Sequence, residues 1–414
     1  MENKTKNPKP YPAMRALDVI PVRHRGQNLF YLKDMDGLTQ NPVVLTKEQF
    51  FIAACLDGKS GPQEIQTAFS RQFGRRVLTV KEIDDVVRLL DGNFLLLSPN
   101  FEERLRRVRA EYGRLKRRPT VFAGLSYKAR HEALEAELDG YFKKPGPGKN
   151  ETDGRKELLG LVAPHIDFPR GGWAYAWAYR EILSRAMADL YVVFGVAHAG
   201  PPVPLVLGTK DYETPFGPVA VDDDLAESLA RAAGTDLTEH EFFHRREHSI
   251  EFQAVWLAYA AKKLKKEARI LPILCSSFTE EDGTLRRVEK TLDHLAKLLK
   301  NYPGRICLLA GADFAHIGPR FGDAEPVAEL LPWMKTEDAK SIDRLLEKNA
   351  PGFFVSVMAE GGKRKVCGSG CLYAFTWLLK RLHPEAQGKL LKYGHAPDPA
   401  GGEVSFASMA FTEG

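Results

Sequence analysis

The sequence predicts an α/β protein, a mainly parallel sheet with helices on its faces, preceded by a small winged-helix-like α+β domain. Three observations lead there. From about residue 118 onward, strand-like apolar runs alternate with helix-like periodic ones, the order expected of parallel strands joined by crossover helices. Residues 15–100 instead hold a hairpin signal followed by three closely spaced helix starts. The composition, 414 residues with 44% hydrophobic and 27% charged, is that of a globular chain of two or three domains and excludes disordered, collagen-like and coiled-coil classes.

Apolar stretches such as 191–197 fall far short of the roughly 20 residues of a bilayer-spanning helix, so no membrane segment is expected. The opening MENKTKNPKPYPAMRALDVI carries no apolar core of the kind a secretion signal needs, and five cysteines are an odd, sparse count. A cytoplasmic protein with thiols free for chemistry is the expectation.

In the first domain, Leu29 to Leu32 and the turn signal Asp36-Gly37 predict a hairpin. Thr46 with Gln49, Ser60 with Gln63, and Thr79 with Glu82 each place a hydroxyl three residues before a Gln or Glu, so that side chain and backbone can cap one another. The first helix holds Phe50, Phe51 and Ile52 and stops at Asp57-Gly58. The second carries Ile65 and Phe69, the third Ile83, Val86, Val87 and Leu90, and Phe94 to Leu97 reads as a closing strand. This order, with a Leu-Asp-Gly turn before a capped helix, resembles the PqqD-like domains that hold peptide substrates for modifying enzymes. The resemblance implies a peptide or protein partner for residues 15–100; a small packing or dimerisation domain is the other reading of the same pattern.

Residues 101–130 hold eight Arg and two Lys against three Glu, a local balance of +7 in a chain of net charge +5, so the remainder is about neutral. Leu105, Val108, Tyr112 and Leu115 recur there at three- and four-residue spacing, which predicts a basic linker helix over 101–117 with its charges in water. No aromatic interleaving or nucleic-acid motif accompanies the charge, so nucleic acid is not an expected partner.

In the remaining part, 118–414, strands are predicted at Leu158 to Val162, Tyr191 to Val196, Arg269 to Leu274 and Arg305 to Leu309. Helices are predicted at Ala174 to Leu183, Asp223 to Ala233, Ile250 to Lys262, Leu285 to Leu299 and Ser341 to Lys348, and the runs 389–393 and 404–411 add strands. There is no short-period repeat, and the low-complexity patch is KKPGPGKN at 143–150.

Open α/β sheets gather their functional groups beyond the carboxyl ends of the strands. That rule selects His165 in LVAPHID, His198 in VVFGVAH, and Asp313 with His316 in LLAGADFAHIG. One strand-end histidine is commonly a hydrogen-bonding residue of the fold; three such ends in one domain point to a site. Cys367, in KVCGSGCLYAFTWLL, stands before an apolar helical run, where the helix dipole is expected to lower its pKa. Cys371 falls inside that helix as core. A rival signal is HEFFH at 240–244, a literal match to the zinc-hydrolase motif HExxH. Its helix turns strongly apolar only after Ser249, and no third ligand follows at the extended zincin spacing, which makes the hydrolase the weaker alternative.

Downstream, the text becomes specific. RPTVFAGLSY at 118–127, VAPHIDF around His165, FGVAHAG around His198, ETPFGPVAVD at 213–222, EHSIEFQ at 247–253, ADFAHIG at 312–318, VCGSG at 366–370 and VSFASMAF near the end occur in the order of the Memo family. The resemblance covers about residues 118–414 and implies a fold like that of the class III extradiol dioxygenases (LigB-like), with a non-haem metal at the strand ends. It implies further that His165, His198 and Cys367 bind the metal, and that Asp313, His316 and the segment carrying Glu247, His248 and Glu251 line the pocket. Such a donor set suits mononuclear iron or copper, because the soft sulfur favours transition metals over magnesium or calcium. His316 is then the expected general acid/base, supported by Asp313, with His248 beside it. The chain departs from the usual family text at Ile166-Asp167-Phe168 after His165 and at Val196-Ala197 before His198. Asp167 is thereby a candidate oxygen donor, a partner to a ligand, or a loop cap. Two functions follow: redox, dioxygenase-like chemistry on a small molecule or peptide, or a non-catalytic binding or scaffold role. Family resemblance attaches radical-SAM and AMMECR-type proteins to the second as partners.

Overall fold

The computed structural model describes residues 9–39, 41–74, 76–143, 156–234, 236–278 and 283–414; all but the first residue of the KKPGPGKN patch lies outside them. The chain divides into two units, Met1–Arg114 and Leu115–Gly414.

The first unit opens with an antiparallel hairpin, β1 (Asp18–His24) and β2 (Gln27–Lys33), to which β3 (Val43–Leu45) adds. The hairpin turns at Arg25-Gly26, whose φ angles of 48° and 80° suit a two-residue turn of the type that matches strand twist. Asp36-Gly37 is instead the bend before β3. There the Asp34 carboxylate accepts the N–H groups of Asp36, Leu38 and Thr39 at 3.1, 2.6 and 2.8 Å, a local turn that propensity alone does not distinguish from a hairpin.

Helices α1 (Lys47–Ala54), α2 (Pro62–Phe73) and α3 (Val80–Gly92) follow. Thr46 with Gln49 and Thr79 with Glu82 form the expected capping boxes. The middle one shifts by a residue: Pro62 occupies the first helical position, so Gly61 is the cap and Glu64 reaches back to its N–H at 3.0 Å. Phe94 to Leu97 is no strand, because Phe94 takes φ 61° and only Leu96 bridges to Met14. Leu45, Ile65, Phe69, Ile83 and Leu90 fill the core of this unit. The basic segment begins as α4 (Pro99–Gly113), which buries Val108 and Tyr112 and ends before Leu115, 41% exposed.

The second unit starts with β4 (Arg117–Arg118) and α5 (His131–Tyr141), then β5 (Leu158–Ala163), α6 (Phe168–Leu183), β6 (Leu190–Val196), β7 (Leu205–Leu207), β8 (Asp211–Tyr212), β9 (Ala220–Val221) and α7 (Asp223–Ala233). It continues with α8 (His248–Leu264), β10 (Arg269–Cys275), α9 (Thr284–Leu299), β11 (Ile306–Gly311), β12 (Asp313–Ile317), α10 (Val327–Leu346), α11 (Ala350–Gly362), α12 (Ser369–Leu382), β13 (Gln387–Asp398) and β14 (Gly402–Thr412). The main sheet runs β12-β14-β5-β11-β6-β10-β7, with β13 paired to β14 and β9 to β10. Its centre, β5-β11-β6-β10, is parallel, and β14 joins antiparallel to β5. Strands β5 and β6 are buried at every position because helices cover both faces, which is why they read as unbroken apolar runs. Helices α6 and α8 pack on one face, α9 and α12 on the other. The predicted Ser341 to Lys348 helix is only the end of α10, which passes through Pro332.

Register sets the site. Gly311 pairs with Ala163 on one side and Gly195 on the other, so three strand ends stop level with one another. Two of these positions are glycine for a reason of space. A Cβ on Gly195 would lie 2.4 Å from Ile250 and 2.6 Å from Ser249 Oγ, and one on Gly311 would lie 2.6 Å from the Ser249 carbonyl oxygen. The first turn of α8 thus rests directly on the sheet, where Ser249 Oγ donates to the Val196 carbonyl at 3.0 Å and accepts the Val196 N–H at 2.9 Å. At the cap of α12, a Cβ on Gly368 would meet the Asp313 carbonyl oxygen at 2.6 Å. Gly195→Ala is expected to cost about 1–3 kcal/mol of stability through overpacking, read as a lower urea midpoint.

Candidate metal centre

His165 leaves β5 two residues after Ala163, and its backbone N–H is fixed by Asp313 Oδ1 at 2.9 Å, two residues after Gly311. His198 leaves β6 beside it, and His248 is the first residue of α8. The imidazoles meet with centroids 4.9 Å (His165–His198), 5.1 Å (His165–His248) and 4.7 Å (His198–His248) apart, the last pair stacked. One ring nitrogen from each lies within 4.8 Å of the others, a geometry that could hold a metal ion. His165 is buried, while the side chains of His198 and His248 are 23% and 24% exposed, so the cluster opens on their side.

The tautomers follow from the partners. His165 Nδ1 lies 3.1 Å from the Gly311 carbonyl oxygen, which can only accept, so Nδ1 carries the proton and Nε2 the lone pair. His198 Nδ1 lies 3.0 and 3.1 Å from the two oxygens of Glu247, with the same consequence. Glu247, buried at the cap of α8, also accepts the N–H groups of His198 and Ser249 at 3.0 Å each and lies 3.3 Å from His248 Nδ1. One carboxylate therefore orients two of the three imidazoles. Burial alone would raise its pKa; His198, His248 and the donated hydrogen bonds overcome that and hold it well below the usual carboxylate range.

Cys367 Sγ lies 3.4 Å from His165 Nε2 and 3.8 Å from the Asp313 carbonyl oxygen. The sequence expectation of a lowered thiol pKa is not met. Helix α12 begins only at Ser369, and burial, reinforced by Asp313, pushes the thiol well up. A cation at the site would reverse that balance, since a metal takes the place of the proton on sulfur.

His316 reaches the site through an irregularity. Residues three apart on a regular strand face opposite sides, yet Asp313 pairs with Phe406 and His316 with Val404, so a bulge returns both to one side. His316 Nδ1 donates to the Phe314 carbonyl at 3.2 Å, the Phe321 ring packs edge-on at 5.0 Å, and burial pushes its pKa down to about 4.

Other sequence candidates have different work. Asp167 caps α6 through the Arg170 N–H at 3.2 Å and pairs with the Arg170 guanidinium at 2.6 Å, the cap among its three readings. Glu251 has no exposed surface and takes Arg118 Nη1 at 2.5 Å, the Tyr127 hydroxyl at 2.6 Å and the Phe122 N–H at 2.9 Å. It thus anchors the RPTVFAGLSY segment, whose Phe122 packs 5.6 Å from His248. Only the last four residues of HEFFH enter a 3-10 helix, Glu241–Arg246, with His240 outside it as the cap, so the two histidines do not share a face one α-helical turn apart. His244 Nε2 donates to the Val206 carbonyl at 3.0 Å, its Nδ1 accepts the Tyr212 hydroxyl at 2.7 Å, and Glu241 is bound by Thr209 and Lys210. Both ring nitrogens being engaged, the motif is a hydrogen-bonded part of the fold.

Burial pushes the pKa of His244, like that of His316, down to about 4, against roughly 6.5 in an unfolded chain. Between those values the unfolded chain binds more protons, so stability rises with pH across the window and is lost on acidification from about 6.5 to 4. Urea midpoints measured across this range are expected to fall steadily, with a shallower slope in His244→Gln.

Sequence reasoning missed three things here: Glu247 as the clamp on two imidazoles, the glycine contacts that lower α8 onto the sheet, and the β12 bulge. Signals existed for the first two, a carboxylate immediately before a helix and glycines at strand ends, but neither identifies its partner.

The chain is similar to known proteins over the second unit and, in one case, over both units. A family profile described as Memo-like protein matches residues 117–410. A MEMO1 family protein of Aquifex aeolicus is 25% identical over 401 residues, 97% of this chain and 99% of the relative, so that alignment spans both units. MEMO1 family proteins of Methanosarcina barkeri and Methanosarcina mazei are each 30% identical, over 69% and 71% of this chain and 94% and 97% of their own lengths.

Proposed function

The chain belongs to the Memo family, and from that premise we propose that its second unit is a mononuclear non-haem metal protein holding iron or copper, with dioxygenase-like redox chemistry on a small molecule or peptide. The observation that carries the reading is the convergence of three imidazoles with ligand nitrogens within 4.8 Å of one another. In this assignment His165 and His198 bind through Nε2, and Cys367 and His248 complete the donor set. Mixed imidazole and thiolate donors fit a borderline or soft transition metal better than a hard cation.

An iron or copper ion in this place supplies electron transfer and Lewis acidity. The chain supplies the rest. Gly311 and Glu247 fix the tautomers that leave Nε2 of His165 and His198 available. His316, with its proton on Nδ1, presents Nε2 as the basic atom that takes and returns a proton of the substrate. Phe122 and Phe321 pack edge-on against His248 and His316 and hold those rings in place.

The test is X-ray absorption at the metal edge on protein purified anaerobically without a metal-binding tag. Iron or copper with nitrogen and sulfur neighbours is expected, the sulfur contribution vanishing in Cys367→Ala. Zinc or no metal, or a shell without sulfur in the parent, would remove the assignment.

A further inference from the structure

Behind the site, Asp338 on α10 has no exposed surface. Its Oδ1 accepts from Arg364 Nη1 at 2.8 Å, and its Oδ2 accepts from Ser405 Oγ at 2.6 Å and the Tyr393 hydroxyl at 2.8 Å. Arg364, 3% exposed, further donates to Ser341 Oγ at 2.8 Å and the Ser356 carbonyl at 2.7 Å.

Two of the partners of Asp338 carry the constraint onward. Ser405 Oγ accepts the Ala315 N–H at 2.9 Å, and the Arg364 carbonyl accepts the His316 N–H at 2.8 Å. These N–H groups belong to the β12 bulge, where the irregular register with β14 leaves backbone donors needing other acceptors. Arg364 also stands three residues before Cys367, whose sulfur is 3.4 Å from His165 Nε2.

We propose that Asp338 is a positioning residue for the metal site: through Ser405 it holds the bulge that turns His316 to the side of Asp313, and through Arg364 it holds the segment that presents Cys367. The metal half of this statement rests on the function proposed above; the bulge half does not. A purely structural role for Asp338 makes a different prediction, because then its hydrogen bonds are interchangeable.

Tyr393 and Ser405 separate the two roles. Each donates one hydrogen bond to the same carboxylate oxygen, but of the two hydroxyls Ser405 Oγ is the one that accepts the Ala315 N–H. The full chain and its Ser405→Ala, Ser405→Thr and Tyr393→Phe variants would be compared by metal-free amide hydrogen exchange at Ala315 and His316, and by the visible spectrum after titration with cobalt(II) alone. Ser405→Ala is expected to speed exchange at Ala315 about tenfold, the size of one lost hydrogen bond, and to change the cobalt(II) spectrum. Ser405→Thr should restore both, and Tyr393→Phe should leave both as in the parent while lowering the urea midpoint. Parent-like exchange and spectrum in Ser405→Ala, or equal changes in Tyr393→Phe, would overturn the proposal. If the parent takes up no cobalt(II), the metal reading fails on its own and the exchange comparison decides the role of the network.

Discussion

Glu247→Gln should weaken metal binding about 10–100-fold, and Glu247→Ala more than that, in a competition titration against a chelator. The reason is that one carboxylate serves two rings. Glutamine keeps the shape, but its amide nitrogen cannot accept a proton from His198 Nδ1 or from the His198 and Ser249 N–H groups, which lie 3.0 to 3.1 Å from the present oxygens. Glutamine's one remaining oxygen is a weaker, neutral acceptor, and where its amide nitrogen faces Nδ1 instead, His198 can place its proton on Nε2, the atom the metal needs. The substitution also weakens the cap of α8, so a modest stability loss of about 1 kcal/mol should accompany it. An affinity unchanged in both variants would mean that His198 and His248 are not the donors.

The largest effect on stability is expected at Arg118. Its guanidinium has no exposed surface, pairs with Glu251 at 2.5 Å and donates to the carbonyls of His244 and Glu247 at 2.8 and 2.9 Å. Arg118→Met leaves the buried Glu251 carboxylate without its cation and should cost about 3–5 kcal/mol in urea unfolding of the metal-free chain. The double variant Arg118→Met, Glu251→Gln should recover part of that loss, because the uncompensated charge is then gone. An equal or greater loss in the double variant would show that the carbonyl contacts of Arg118, and not its charge partner, hold the segment.

How much of this was legible in the sequence depends on range. The parallel sheet was readable because β5, β6, β10 and β11 are buried on both faces and therefore appear as uninterrupted apolar runs. Two of three capping boxes were readable because they lie within four residues. The hairpin turn was misplaced because Arg25-Gly26 carries a weaker turn signature than Asp36-Gly37, and tertiary pairing chose between them. Strand-end position picked out His165 and His198, two of the three clustered imidazoles, and Asp313, which accepts the His165 N–H. What the sequence could not carry was the joint geometry: His248 joins the imidazole cluster because α8 lies against Gly195 and Gly311, contacts made across the fold. The bulge that aligns His316 with Asp313 depends likewise on register with β14. HEFFH fails for the same kind of reason, since the letters were present but the helix type and the partners of His244 were set elsewhere.

The most direct test is elemental analysis by mass spectrometry on anaerobically purified, untagged protein, comparing the parent with His165→Ala and His240→Ala. Stoichiometric iron or copper in the parent and in His240→Ala, lost in His165→Ala, is the predicted result. Metal retained in His165→Ala, or lost only in His240→Ala, would contradict the assignment of the site to the strand ends.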